Sequence, residues 1–228
     1  MRLKEIAENI LERKLQASEG LDYQLIQQVE SKLGMRLPEV LRDFYAMVGN
    51  LPLFVDGHYH FRNIKDLKIK DQKLVFLGEN QEVIHWGVDV SDTNTVYQTT
   101  QPIEGGQAIW HQESTDLDKF MEMMLYVQCV QADEALHHKI EGGYTYFGYL
   151  KVANEDDDTR ALLLANLERY WQNVARGDGV RVFSRLKSIL LHFVDRGGNL
   201  DLTSTMHLCT KDERLLDAWI DLYGFNEL

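Results

Sequence analysis

His58-x-His60 is the first place in this sequence where side chains of one chemistry recur at a spacing that could serve a metal ion. Alternate residues of a strand project to the same face, so the two imidazoles could share a ligand. A protein zinc site wants a third donor, and no Cys or carboxylate follows at metal-like spacing. The pair therefore reads as an exposed strand face. His137 and His138 are adjacent; on a helix they would point about 100° apart and could not share an ion, so they read as surface residues. Nucleophilic catalysis would want Ser or Cys beside a His with an orienting carboxylate, in an elbow such as G-x-S-x-G, and there is none. No P-loop or G-x-G-x-x-G cradles a phosphate either.

Glu79, Glu82 and Asp89 flank Trp86 and supply the residue types of acid and base. Without a substrate-binding signature they read as surface carboxylates, and no catalytic residue, metal or cofactor is expected. Trp86-Gly87 is more informative. An indole in a half-buried strand pair supplies core area, and a following Gly marks a bulge or a close backbone approach. That structural reading ranks ahead of a ligand pocket, and an interface role stays open because Trp at a sheet surface also anchors partners.

The elements that must position these residues follow from periodicity. Leu3, Ile6, Ile10 and Leu15 set one stripe on a first helix, ended near Ser18-Glu19-Gly20. Asp22 can cap a second helix with Leu25, Ile26, Val29 and Leu33 inward, and Gly34 suits the left-handed position after it. Pro38 fits the first turn of a third helix, whose inner face is Val40, Leu41, Phe44, Tyr45 and Val48. The period then changes: Tyr59 and Phe61, Leu74 to Leu77, Val83 to Val90, Thr95 to Gln98 and Ala108 to Trp110 read as strands. Ser114 or Thr115 caps a helix carrying Leu117, Phe120, Met121, Met124, Leu125 and Val127. This segregation of element types predicts an α+β domain over residues 1–131.

Residues 132–228 predict a mainly helical extension. Tyr144 to Tyr149 could form one strand, and the acidic run Glu155 to Asp158 suits a helix start. Helical spacing then links Leu163, Leu167, Tyr170, Trp171 and Val174; Leu186, Ile189, Leu190 and Phe193; and Leu215, Leu216, Trp219, Ile220 and Leu222. Gly177-Asp178-Gly179 and Gly197-Gly198-Asn199 are turns. The end of the chain weakly resembles ankyrin repeats, with Met206-His207-Leu208 where that family has Pro-Leu-His, but its copies are too closely spaced.

The net charge of −12 decides which partners fit. Asp and Glu outnumber Lys and Arg by 20 to 13 before residue 131 and by 16 to 11 from there on, so the acidity belongs to both halves rather than to a tail. Such a surface repels nucleic acid and attracts basic proteins. The opening MRLKEIAENILERK alternates charge with Ile and Leu and has no continuous apolar stretch, so no signal peptide is expected there. No run reaches the roughly 18 apolar residues of a membrane span, so no membrane partner is expected. Cys129 and Cys209, both in apolar patterns that read as helical, are expected as buried thiols in a reducing cytoplasm.

Several of these pieces occur together in an order that resembles the SMI1/KNR4, or SUKH, superfamily. They are Ile26-x-x-Val29-Glu30-x-x-Leu33-Gly34, Leu37-Pro38, Phe44-Tyr45, Asn80-Gln81, Trp86-Gly87 and Val96-Tyr97, spanning roughly Leu21 to Gln131. Gly49-Asn50 stands where the family commonly has Asn-Gly. The resemblance implies a curved, mostly antiparallel sheet with helices packed on one side, acting as a non-catalytic protein-binding module. Its commonest bacterial role is an immunity protein that neutralises a polymorphic toxin, often a nuclease; the alternatives are a regulatory adaptor or an uncharacterised enzyme. For an immunity protein, the acidic side chains around the strand pair, Glu79, Asp89 and Asp92, together with Trp86, are the expected contacts to a basic toxin domain. Asp89 and Asp92 are both expected to be exposed.

Overall fold

The computed structural model describes residues 2–152, 155–177, 179–194 and 204–228. The chain is α+β, with two antiparallel sheets. It divides into two compact units between Ala132 and Asp133.

The first unit opens with helices α1 (Arg2–Leu11), α2 (Tyr23–Leu33), α3 (Glu39–Val48) and the single turn α4 (Pro52–Val55). Leu3, Ile6 and Ile10 form the buried stripe of α1, while Leu15 lies beyond its end. Asp22 caps α2 by accepting the Gln24 amide at 2.7 Å, and Gly34 closes it at φ 71°. Pro38 sits one position earlier than expected, as the cap residue before α3.

Strands β1 (Tyr59–Phe61), β2 (Lys68–Lys70), β3 (Lys73–Glu79), β4 (His85–Asp89), β5 (Val96–Thr99) and β6 (His111–Ser114) follow. The order is β1-β3-β4-β5-β6, and β2 also pairs with β3. The strand expected at Ala108 to Trp110 forms instead at β6. Helix α5 (Leu117–Gln131) is capped by Asp116, not by Ser114 or Thr115. It is buried along most of its length, so it serves as the central rod of the unit. Its Gln128 is wholly buried and bridges elements: the amide oxygen accepts from Tyr59 N at 3.2 Å and the amide nitrogen donates to Phe54 O at 3.2 Å. A buried amide is tolerable because both its ends are satisfied.

The second unit contains α6 (Glu134–His137), β7 (Tyr146–Lys151), α7 (Asp157–Tyr170), β8 (Gln172–Gly177), β9 (Val180–Arg185), β10 (Ser188–Phe193), β11 (Thr205–Thr210), α8 (Glu213–Tyr223) and β12 (Asn226–Glu227). Its sheet runs β12-β7-β11-β10-β9-β8. The expected helical extension is therefore corrected: the described part of this unit is built on a six-stranded sheet, with α7 and α8 where helices were expected.

The helix expected through Leu186, Ile189, Leu190 and Phe193 is strand β10 and the turn before it. Ser188 to His192 are buried in succession, so both faces of the strand are covered and no period of two survives in the sequence. Leu186, which completed the helical stripe, sits in the turn at φ 49° and is 89% exposed. Met206-His207-Leu208 lies in β11, so the ankyrin likeness fails there, and Cys209 is on a strand rather than a helix. The turn expected at Gly197-Gly198-Asn199 lies outside the described residues, as does Asp178 in the other one.

Leu163 and Leu167 of α7, and Leu216, Trp219 and Tyr223 of α8, pack with Leu150, Leu190, Met206 and Leu208 of the sheet. Gly148 allows that approach, since a Cβ there would lie 2.7 Å from Leu216 Cδ1. Among the described residues no helix is long and apolar enough to cross a membrane.

Candidate protein-binding surface

Strands β3 and β4 carry the residues singled out in the sequence, and the register decides how they group. Lys73 pairs with Asp89 at one end of the strand pair and Gly78 with His85 at the other. Glu79 therefore lies six residues along β3 from the Asp89 end, about 20 Å at the usual strand rise. Glu79, Asp89 and Asp92 do not form one acidic patch. Glu79 turns back on its own loop, accepting the Gln81 amide at 3.0 Å with His58 Nε2 at 4.0 Å. Asp89 is half-buried rather than exposed. Lys73 Nζ donates to it at 2.7 Å, and Ser91 donates from both N and Oγ. These bonds hold its carboxyl well below the usual carboxylate range. The same ammonium lies 4.4 Å from the centroid of the Tyr97 ring, so Asp89 belongs to a closed local network. Asp92 is exposed and accepts from Thr95 Oγ1 at 2.7 Å.

Trp86 is buried and meets the Tyr59 ring edge-on, with centroids 5.3 Å apart. Phe76 makes the ring contact with Phe120, and Phe61 the one with Phe44. The indole N–H finds no hydrogen-bond acceptor among the described residues. Gly87 makes the close backbone approach read from the sequence, since a Cβ there would lie 3.0 Å from Leu74 O.

The histidines divide by burial. His58 and His60 stand beside Glu79 and Asp56 respectively, at 4.0 and 3.8 Å. Among the described residues, no three His, Cys, Asp or Glu side chains are grouped to hold a metal ion. His137 is buried, not a surface residue: its Nδ1 accepts the Tyr144 amide at 3.1 Å, and its ring packs on Phe147. His138 is exposed beside Glu134. Cys129 and Cys209 are both buried free thiols.

Carboxylates also gather on the helices of the first unit. Glu39 and Asp43 of α3, and Asp118 and Glu122 of α5, line a groove of about 480 Å³ with Arg2, Leu3 and Val40 of α1 and α3. Arg2 Nε lies 3.1 Å from Glu122 and is the single base among the residues lining the groove. Burial, and then the neighbouring Glu39, push the Asp43 carboxyl up; burial, opposed by Arg2 and aided by Asp118, pushes Glu122 up. A larger groove, of about 580 Å³, mixes signs: Arg62 and Lys65 face Asp56, Asp66 and Glu82. Only the first offers a concentrated field of one sign.

Sequence periodicity holds the missed signal. Glu39 and Asp43 are four apart on one helix, and so are Asp118 and Glu122. Like charges at that spacing repel and cost a few tenths of a kcal/mol, so two such pairs on packed helices are a feature to explain. Their placement near helix N-termini, where the dipole favours carboxylates, offsets part of that cost for Glu39 and Asp118.

The chain matches no protein-family model, and no curated protein matches it as a relative.

Proposed function

We propose that this chain is a non-catalytic protein-binding module of SMI1/KNR4 type, an immunity protein that acts in the cytoplasm by binding and neutralising a basic toxin domain. The observation that carries the reading is the acidic groove of α1, α3 and α5, where four carboxylates face one arginine. Asp43 and Glu122 are disfavoured in their charged form by burial and by the neighbouring Glu39 and Asp118, so a cationic side chain entering the groove relieves a cost already present. The order of the motif residues from Ile26 to Tyr97 and the net charge support the same reading.

This moves the docking surface from the strand pair to the helices. Asp92 remains a peripheral contact, whereas Glu79, Trp86 and Asp89 serve the fold. A neighbouring gene for a large toxin with a variable C-terminal domain would supply the partner. With that domain, Asp43→Lys combined with Asp118→Lys should slow association about tenfold at 0.1 M salt and flatten its salt dependence, because steering acts mainly on the association rate. Asp92→Lys should change it far less. Association that ignores both salt and the groove substitutions sinks the reading.

A further inference from the structure

The edge of the second sheet carries the opposite charge. Strand β8 ends the order β12-β7-β11-β10-β9-β8, so no described strand pairs with its outer side. Five of the eleven Lys and Arg residues after Ala132 fall between residues 169 and 187, and Asp178 is the only acid among them. Arg169 and Arg185 both address the Tyr170 ring, their guanidinium carbons 5.3 and 5.5 Å from its centroid. Tyr170 itself is half exposed and stands two residues before β8 begins. In the register Arg176 lies opposite Arg181, and cross-strand partners share a face. Arg181, Phe183 and Arg185 are alternate residues of β9, so the two arginines share that face too, flanking Phe183 where it packs against the core.

The geometry points to β8 as a docking edge for an acidic, extended protein segment, added to the sheet as a further strand with its carboxylates toward the arginine-bearing face. A strand edge presents amide donors and carbonyl acceptors in alternation, which a peptide backbone matches. A phosphodiester backbone offers acceptors alone, so nucleic acid satisfies only half of the edge. Basic charge on an edge also rejects another copy of the same edge, and the irregularity between Asn173 and Ala175 limits the ladder to a short guest. Charge and backbone thus select the same occupant. Planar guanidinium groups suit that occupant, because they bind carboxylates through two parallel hydrogen bonds.

The test uses the full chain and a fluorescent peptide of about eight residues, alternating Glu with Val, a length typical of strands. Binding read by anisotropy at low salt should weaken about tenfold in Arg176→Glu, an exposed position, with circular dichroism confirming an unchanged fold. Methylating alternate backbone nitrogens of the peptide should weaken it about as much, since that removes strand pairing and keeps the charge. Amide exchange at Asn173 to Arg176 should slow when the unmodified peptide binds. The proposal is overturned by a Lys-Val peptide that binds equally well, by a methylated peptide that binds unimpaired, by failure of the Glu-Val peptide to bind, or by tighter binding of oligo-dT. The acidic groove is untouched by Arg176→Glu, so this outcome is separate from that of toxin binding.

Discussion

In the first unit four phenylalanines hand the core from helix to sheet and back, Phe44 to Phe61 to Phe76 to Phe120, with successive ring centroids 4.2, 6.2 and 6.1 Å apart. In the second, one indole does the gathering: Trp219 meets Trp171, Tyr223 and Phe225 at 5.1, 5.2 and 5.1 Å. A chain of contacts spreads the consequence of a single loss, whereas a hub concentrates it. The charges differ in the same sense. The first unit gathers carboxylates in a helical groove, and the second lines a sheet edge with arginines.

Trp219→Ala should therefore be the most damaging single truncation. Removing a buried aromatic costs about 3–5 kcal/mol, much of the stability of a domain, and here three ring contacts go at once. Amide exchange should show β10 and β11 losing protection. Trp86→Ala, which loses a single ring contact among the described residues, that with Tyr59, should destabilise the first unit by a smaller amount in the same assay. If β10 stays as protected as in the parent, or if Trp86→Ala proves the costlier change, the distinction between hub and chain is wrong.

Two glycines sharpen the contrast at lower cost. A Cβ at Gly20 would stand 1.7 Å from the carbonyl oxygen of Ala46, a backbone atom that cannot step aside. A Cβ at Gly148 would meet the end of the Leu216 side chain at 2.7 Å, which can turn away. Gly20→Ala should cost about 1–3 kcal/mol, in the range of overpacked cores, and Gly148→Ala less. Denaturant midpoints rank the two directly.

The same contrast explains what the sequence disclosed. Helices α2 and α3 were legible because their ends are marked by Asp22, Gly34 and Pro38, residues whose preferences are local. Strands β3 to β5 were legible from short apolar runs bounded by polar turns. Strand β10 was not, because burial on both faces erases the period that separates strand from helix, and Ser188-Ile189-Leu190-Leu191 fits either. Strand β2 was missed because Lys68-Ile69-Lys70 is short and mostly charged. The candidate surface was harder still. Asp89 reads as a free acid until β3 places Lys73 opposite it, a pairing between residues sixteen apart that no local rule supplies. The acidic groove needed α3 and α5 to be packed together before its two i,i+4 pairs could be seen as one site.

The smallest expected effect concerns where acid acts first. His85 of β4 is 2% exposed, and its Nδ1 lies 3.1 Å from Nη2 of Arg62. A guanidinium only donates, so that nitrogen accepts and the native ring is neutral. Burial pushes the His85 pKa down and Arg62 adds to the shift, while Glu82, 3.7 Å away, opposes it. In the unfolded chain the group titrates near the ordinary value of 6.5. Below that value the unfolded state binds the extra proton first, so stability is complete above about pH 6.5 and falls as pH drops toward the lowered native pKa. One proton limits the slope to about 1.4 kcal/mol per pH unit. Replacing His85 with Gln should flatten the pH dependence of the urea midpoint below about pH 6.5, with any offset at neutral pH read separately. It should also remove the early acid-induced exchange of β4 amides and leave that of β10 unchanged. An unaltered slope would show that His85 does not carry the acid response of the first unit.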